Sequence, residues 1–264
     1  MSKLVFITGA SSGIGQALAW RYHLAGYQLA LVGRRTREMQ SWASACGLSA
    51  RSCRIYSADV AVTESIVSAG KDCLQQQGVP DVVIANAGIS EGMDSREEDD
   101  LEVMAKTFAT NNVGVAATFH PFIEAMLERK CGKLVGIASV AGIRGLPGHA
   151  AYCASKAGVI SYCESLRGEL RGSGVKVVTV SPGYIDTPLT RQNRYAMPFL
   201  MDVTLFANQA FKAIESGASY RVIPWQMGFV AKMLRVMPNA LFDRLLAGRP
   251  RKHRKPNKQE AAPK

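Results

Sequence analysis

Tyr152 and Lys156 stand four residues apart in Tyr-Cys-Ala-Ser-Lys, and Ser139 lies a short stretch before them. On a helix, positions i and i+4 share one face, so this spacing sets an ammonium beside a phenol. A free tyrosine titrates near pH ~10 and is a poor proton donor or acceptor at neutral pH. A neighbouring positive charge favours the phenolate, which predicts a lowered Tyr152 pKa and general acid–base work. A solvent-facing helix can show the same spacing by chance, so the surrounding sequence has to decide. Cys153 and His149 flank the tyrosine; they read as a small packing residue and a loop residue, outside the catalytic set.

Far upstream, Thr8-Gly9-Ala10-Ser11-Ser12-Gly13-Ile14-Gly15 follows an apolar run and opens a helical pattern at Gln16. Glycines in that position allow a tight turn and close backbone approach, while free helix N–H groups face a pyrophosphate. The spacing is Gly-x3-Gly-x-Gly rather than the commoner Gly-x-Gly-x2-Gly. The same segment contains Gly9-Ala-Ser-Ser-Gly13, a literal nucleophile-elbow pattern with Ser11 as the nucleophile. A serine hydrolase is the poorer reading. The turn follows the first strand rather than a later one, and the four histidines (His23, His120, His149, His253) offer no convincing acid…His order. Arg34 follows the second apolar run in Val32-Gly33-Arg34-Arg35, where an acidic residue would select a ribose 2′-hydroxyl. A guanidinium there pairs with a 2′-phosphate instead, which favours NADP(H) over NAD(H).

These residues need a frame that brings them together. Short β-branched runs at 4–8, 28–33, 54–57, 82–86, 133–138, 175–181 and 220–223 alternate with helical patterns near 13–25, 35–46, 62–77, 98–129, 152–172 and 199–216. Nearly continuous apolar strands such as Leu4-Val-Phe-Ile7 imply burial on both faces, hence a parallel sheet covered by helices. The expected fold is a doubly wound, Rossmann-like α/β arrangement with a seven-stranded, mostly parallel sheet and its ligand at the carboxyl ends of the strands. The acidic run Glu91–Glu102 reads as a solvated loop entering a helix N-terminus rather than a metal site.

Taken in order, the motifs resemble the short-chain dehydrogenase/reductase family over about residues 3–224. The resemblance implies a cofactor loop spanning Gly9, Ser11, Ser12, Gly13, Ile14 and Gly15. It implies an adenine contact at Asp59 with Val60, and a supporting turn at Asn86-Ala87-Gly88. It further implies a nicotinamide-amide loop at Pro182, Gly183, Ile185 and Thr187. The implied catalytic set is Ser139, Tyr152, Lys156 and Asn111. Tyr152 would exchange a proton with a substrate oxygen, Lys156 would also bond the nicotinamide ribose, and Asn111 would hold a water leading to Lys156. Ser139 would donate to the oxygen that gains charge. The implied activity is NADP(H)-dependent interconversion of a carbonyl and an alcohol by a homo-dimer or homo-tetramer. A catalytically silent NADP(H)-sensing protein is the second reading, which the intact Tyr/Lys pair disfavours.

The chain has 264 residues, 47% of them hydrophobic and 20% charged, enough for a sizeable core. Six cysteines show neither a CxxC pair nor metal spacing, as expected of reduced thiols. Lys3–Thr8 already reads as a strand, and no apolar stretch is long enough to span a bilayer. The expected location is therefore cytoplasmic, or peripheral at the cytoplasmic face of a membrane. The net charge is +11, and residues 225–264 hold ten basic against two acidic residues, leaving only +3 upstream. The chain accordingly divides into a dinucleotide-binding and catalytic part (1–224), an amphipathic extension (225–248) and a basic tail expected to be disordered (249–264). In the extension Phe229, Val230, Met233, Leu234 and Met237 share a helical face. Pro238 breaks the pattern, and Leu241, Phe242, Leu245 and Leu246 restart it. This extension suits an anionic membrane surface, a cover over the pocket, or a subunit interface. Nucleic acid is not expected, because no reading motif accompanies the charge. Tyr184, Leu189, Met197, Phe199, Leu200 and Phe206 suggest a small apolar substrate, and Arg191 and Arg194 could meet an anionic group.

Overall fold

The computed structural model describes residues 3–193 and 196–248. Seven strands form one parallel sheet: β1 (Leu4–Thr8), β2 (Gln28–Gly33), β3 (Cys53–Ser57), β4 (Val82–Ala85), β5 (Gly132–Ile137), β6 (Val175–Pro182) and β7 (Tyr220–Ile223), in the order β3-β2-β1-β4-β5-β6-β7. The chain runs outward from β1 to β3, returns to lay β4 on the other side of β1, and then continues outward. The strand order therefore reverses between β1 and β4, which opens a crevice at their carboxyl ends.

Alternating side chains of each strand feed two separate cores. Leu4 and Phe6 of β1 join one, and Val5 and Ile7 the other, because successive Cβ atoms leave a strand on opposite faces. The first core is closed by α3 (Thr63–Gln77), α5 (Gly114–Arg129) and α6 (Ala150–Glu169), through residues such as Ile66, Phe119, Phe122 and Val159. The second is closed by α1 (Gly13–Leu24), α2 (Thr36–Ala45) and α7 (Val203–Glu215), through Leu18, Tyr22, Met39 and Ile214. Helices thus cover both faces, which is why the strands carry apolar residues at consecutive positions.

The pattern read as one helix over 98–129 is interrupted. α4 (Asp100–Phe108) passes into a π-turn at Ala109–Val113 and continues as α5. Its centre is Asn111, fully buried. The extra residue of a π-turn swings this side chain off the row that an uninterrupted α-helix would give it.

Beyond β7 the chain forms α8 (Trp225–Val236) and α9 (Asn239–Leu246), broken at Pro238 as expected. Their packing differs from the single apolar face expected. Met227, Gly228 and Ala231 are the buried residues of α8, whereas Phe229 and Met233 are exposed. Small residues win because the helix lies so close to β7 that a Cβ on Gly228 would stand 3.1 Å from Val222 Cβ. The tail 249–264 lies outside the described residues. Among the described residues no helix is long and apolar enough to cross a membrane.

Candidate active site

Tyr152, half-buried, sits in the first turn of α6 and the buried Lys156 one turn later, at the carboxyl ends of β4 and β5. Ser139 follows β5 and caps a short 3₁₀ turn (Val140–Gly142), its Oγ accepting from Ala141 N at 3.2 Å. That turn lies almost on α6: a Cβ on Gly142 would stand 2.7 Å from the Lys156 carbonyl carbon. The close approach brings the Ser139 hydroxyl into hydrogen-bond contact with the Tyr152 phenol.

The electrostatics depart from the expectation of a lowered tyrosine pKa. Burial pushes the Tyr152 phenol up, and the Ser139 contact only partly opposes this. The Lys156 Nζ lies 5.8 Å from the Tyr152 ring centroid and donates to the Ile137 carbonyl at 2.8 Å. Burial lowers the Lys156 pKa itself to about 8. In the free chain at neutral pH, Tyr152 is a protonated phenol beside a desolvated ammonium. Cys153 is buried with its thiol pushed up by burial, so it packs rather than reacts. His149 is the N-cap residue of α6, its Nδ1 3.2 Å from the Pro147 carbonyl.

Asn111 ties the π-turn to its surroundings. Its Oδ1 accepts from Ile89 N at 2.9 Å, and its Nδ2 donates to Ile89 O at 3.0 Å and Ser155 Oγ at 2.9 Å. These contacts bracket α6 against the turn after β4. A Cβ on Gly88 would meet Asn111 Oδ1 at 3.2 Å and Lys156 Nζ at 3.4 Å, so both polar groups converge on that glycine. Asn86 braces the two sides of the crevice, its Nδ2 donating to the carbonyls of Thr8 (3.0 Å) and Gly9 (3.2 Å).

The glycine turn forms the opposite wall. Gly9 has φ +67°, and a Cβ there would stand 2.8 Å from Ala87 Cα, so the turn tolerates no side chain. Gly13 and Gly15 follow in the first turn of α1, with Ile14 against the second core. Thr187 overhangs Gly13: a Cβ on that glycine would meet Thr187 Cβ at 3.3 Å. The overhanging segment is pinned by Gly183 N to Ile223 O (2.8 Å), after Pro182 ends β6, and by the bridge of Ile185 to Met201.

Arg34 reaches Asp59 at 3.3 Å, both partly exposed, while Asp59 Oδ1 accepts from Ala61 N at 3.0 Å and Val60 packs under Gly114. Sequence reasoning gave the cationic role to Arg34 alone. Arg35 is the residue that reaches the loop, donating to Ser11 Oγ (2.8 Å) and Ser12 Oγ (2.9 Å) and pairing with Glu38. Its adjacency to Arg34 was the available signal. Ser11 is thereby an acceptor for a guanidinium rather than a nucleophile facing an imidazole, which removes the basis for the hydrolase reading.

The substrate-side expectations fare unevenly. Phe206 is fully buried in the second core and lines nothing. Leu189, Phe199 and Leu200 are exposed, and Tyr184 and Met197 half-buried. Arg191 is engaged by Asp186 at 2.7 Å, so it is not a free anion receptor, and Arg194 lies outside the described residues. Within the acidic run, Asp94 pairs with Arg96 and Asp100 accepts from Asp94 N, contacts that shape a loop.

One residue escaped sequence reasoning altogether. Arg144, just past the 3₁₀ turn, donates to the carbonyls of Leu234, Arg235 (3.2 Å) and Met237 (2.7 Å) and to Asn239 Oδ1 (3.0 Å). Its guanidinium carbon stands 3.8 Å from the Phe242 ring centroid. It thus satisfies the last carbonyls of α8 and holds α9 in place. No local spacing could announce a partner some 90 residues away.

Residues 3–197 match the short chain dehydrogenase family, and the chain belongs to it. It is 37% identical over 244 residues to an uncharacterized oxidoreductase of Myxococcus xanthus, covering 91% of this chain and 95% of that protein. It is 30% identical to dehydrogenase/reductase SDR family member 7B of Rattus norvegicus, covering 96% and 83%. Among solved structures it resembles a short-chain dehydrogenase from Streptomyces avermitilis (TM-score 0.77, 26% identity, 88% and 92% covered). It also resembles an actinorhodin polyketide ketoreductase variant with NADPH (TM-score 0.77, 25% identity, 84% and 95% covered). Family and fold together define an oxidoreductase of a fold that binds a nicotinamide cofactor.

Proposed function

We propose that the chain is an NADP(H)-dependent oxidoreductase that interconverts a carbonyl and an alcohol on an apolar or lipid-like substrate. The observation that carries this reading is the Ser139–Tyr152 contact backed by the buried Lys156, across the crevice from a glycine turn flanked by Arg34 and Arg35. Gly9 packs against Ala87 with no room for a Cβ, so the glycine turn runs close to the end of β4, as a dinucleotide-binding turn requires. Arg34 and Arg35 would take the 2′-phosphate, Lys156 the nicotinamide ribose, and Thr187 the amide. Bound there, NADP(H) supplies or accepts the hydride.

The side chains manage the proton and the charge. Tyr152, held protonated by burial, donates its proton to the substrate oxygen during reduction and recovers one in the reverse direction. Ser139 turns its hydroxyl from the phenol towards the same oxygen as negative charge builds there. The Lys156 ammonium stabilises the phenolate left behind, and Asn111, at the same glycine as Lys156, is the residue we assign to hold a water leading to the ammonium. The ketoreductase neighbour with NADPH supports both cofactor and reaction class. A second copy of the chain is proposed to cover the groove of about 350 Å³ lined by Asn112, Val113, Val115, Gly158, Val159 and Tyr162. We place the protein in the cytoplasm, peripheral to a membrane through its C-terminal extension.

The test is oxidation of NADPH and of NADH against a panel of ketones and aldehydes graded in apolar surface. NADPH-selective turnover that rises with apolar size is expected; no turnover with any carbonyl, despite measurable NADPH binding, would leave the sensing role instead.

A further inference from the structure

The α8–α9 hairpin is docked by one face and bare on the other. Met227, Gly228 and Ala231 pack inward, and Met227 lies against Gly183 at the cofactor crevice. On the opposite face Trp225, Phe229, Met233 and Val236, spaced four, four and three, form a stripe, with Trp225 73%, Phe229 64% and Val236 76% exposed. On α9 Leu241 and Leu245 are also exposed, one turn apart, while Phe242 between them is buried under Arg144. Isolated exposed apolar residues are ordinary, but six large ones on two joined helices are not.

The charge beside this stripe has one sign. Lys232, Arg235 and Arg244 are exposed on the hairpin, with Asp243 its sole acid. The chain then continues for sixteen residues beyond Gly248, and these add seven basic residues and one acid. A second copy of this surface would bring like charges together, whereas an anionic bilayer neutralises them and takes the apolar stripe into its interface.

We propose that α8–α9 lays the Trp225–Val236 stripe and Leu241/Leu245 onto an anionic membrane surface. The element then lies in the interface and does not span it. Arg144 links the docked hairpin to the loop after Ser139, so the membrane face is mechanically continuous with the rim of the site. The crevice thereby opens beside the acyl region, where an apolar carbonyl compound dissolves. The docking itself rests on the hairpin's shape and charge; only the route for substrate rests on the oxidoreductase reading.

The experiment floats the full chain with vesicles of phosphatidylcholine alone and of phosphatidylcholine mixed with phosphatidylglycerol, without substrate. Binding to the mixed vesicles is expected to be at least about tenfold tighter, and to weaken about tenfold or more in roughly 0.5 M salt. Phe229→Glu with Met233→Glu should lower that binding about tenfold or more while turnover of a water-soluble ketone is kept. In the unaltered chain, brominated lipid should quench tryptophan emission, and Trp225→Phe should remove that quenching. No binding to anionic vesicles overturns the proposal. So does binding unaffected by the double substitution together with unquenched Trp225, which would assign attachment to the tail charge alone. Self-association that the same substitution abolishes, without vesicle binding, would give the face to a second copy.

Discussion

Replacing Lys156 by Met should make the free protein less dependent on pH, in a way that can be calculated. Burial lowers the Lys156 pKa to about 8 from 10.5 in the unfolded chain. Between those values the unfolded state binds more protons than the folded one, so wild-type stability rises with pH across this window. Below pH 8 both states carry the proton and the penalty is fully present; above 10.5 both are neutral and it is gone. At 1.36 kcal/mol per pKa unit the penalty is about 3 kcal/mol at pH 7 and about 1 kcal/mol at pH 10. Lys156→Met removes it but strands the Ile137 carbonyl, which now accepts from Nζ at 2.8 Å, at a cost of about 1–3 kcal/mol. That cost is independent of pH, so the difference between variant and wild type isolates the ionisation. Urea unfolding of both proteins without cofactor, at intervals from pH 7 to pH 10, should show the variant losing about 2 kcal/mol of its relative stability as pH rises. A difference constant to within about 0.5 kcal/mol would refute the account of a desolvated ammonium at this position. The variant's turnover should be nearly abolished throughout, because the stored penalty belongs to the group proposed to stabilise the Tyr152 phenolate.

Tyr152→Phe should lower kcat by roughly 10²–10⁴-fold with NADPH binding retained, as read by cofactor fluorescence; a near-normal rate would remove Tyr152 from the proton path. Arg34→Ala with Arg35→Ala should lower the preference for NADPH over NADH by roughly 10–100-fold, the loss of one or two charged hydrogen bonds, measured as the ratio of the two kcat/KM values. Gly142→Ala forces a methyl against the Lys156 carbonyl carbon and should cost about 1–3 kcal/mol in unfolding experiments, with kcat falling more than cofactor affinity because Ser139 is displaced. Arg144→Ala should raise amide exchange selectively in 225–246, read by mass spectrometry, while β1 and β4 keep their protection.

The seven strands were legible because burial on both faces leaves an apolar signature, and no observed bound differs from expectation by more than one residue. The proposed catalytic quartet and the glycine turn could be picked out for a different reason: the chemistry proposed for them needs particular residue types at particular spacings. Less was legible where a long-range contact sets the outcome. The π-turn at Asn111 carries neither Gly nor Pro to mark it, so its segment read as plain helix. Phe206 looked like a pocket residue until α7 turned it into the second core. The hairpin's docked face was misread because the close approach to Val222 requires a glycine at 228, which turns Met227, Gly228 and Ala231 inward. Tyr152's pKa direction also escaped, since sequence spacing does not reveal the desolvation that outweighs the Ser139 hydrogen bond.

Arg144 has a practical consequence for engineering. A hybrid of two homologous chains with a single crossover between α6 and β7 would leave this arginine and the helices it holds on different parental halves. A hybrid of that kind loses four hydrogen bonds and a ring contact at one stroke. The exchangeable module in this chain is discontinuous: residues 139–149 must travel with 225–246, however far apart they stand in the gene.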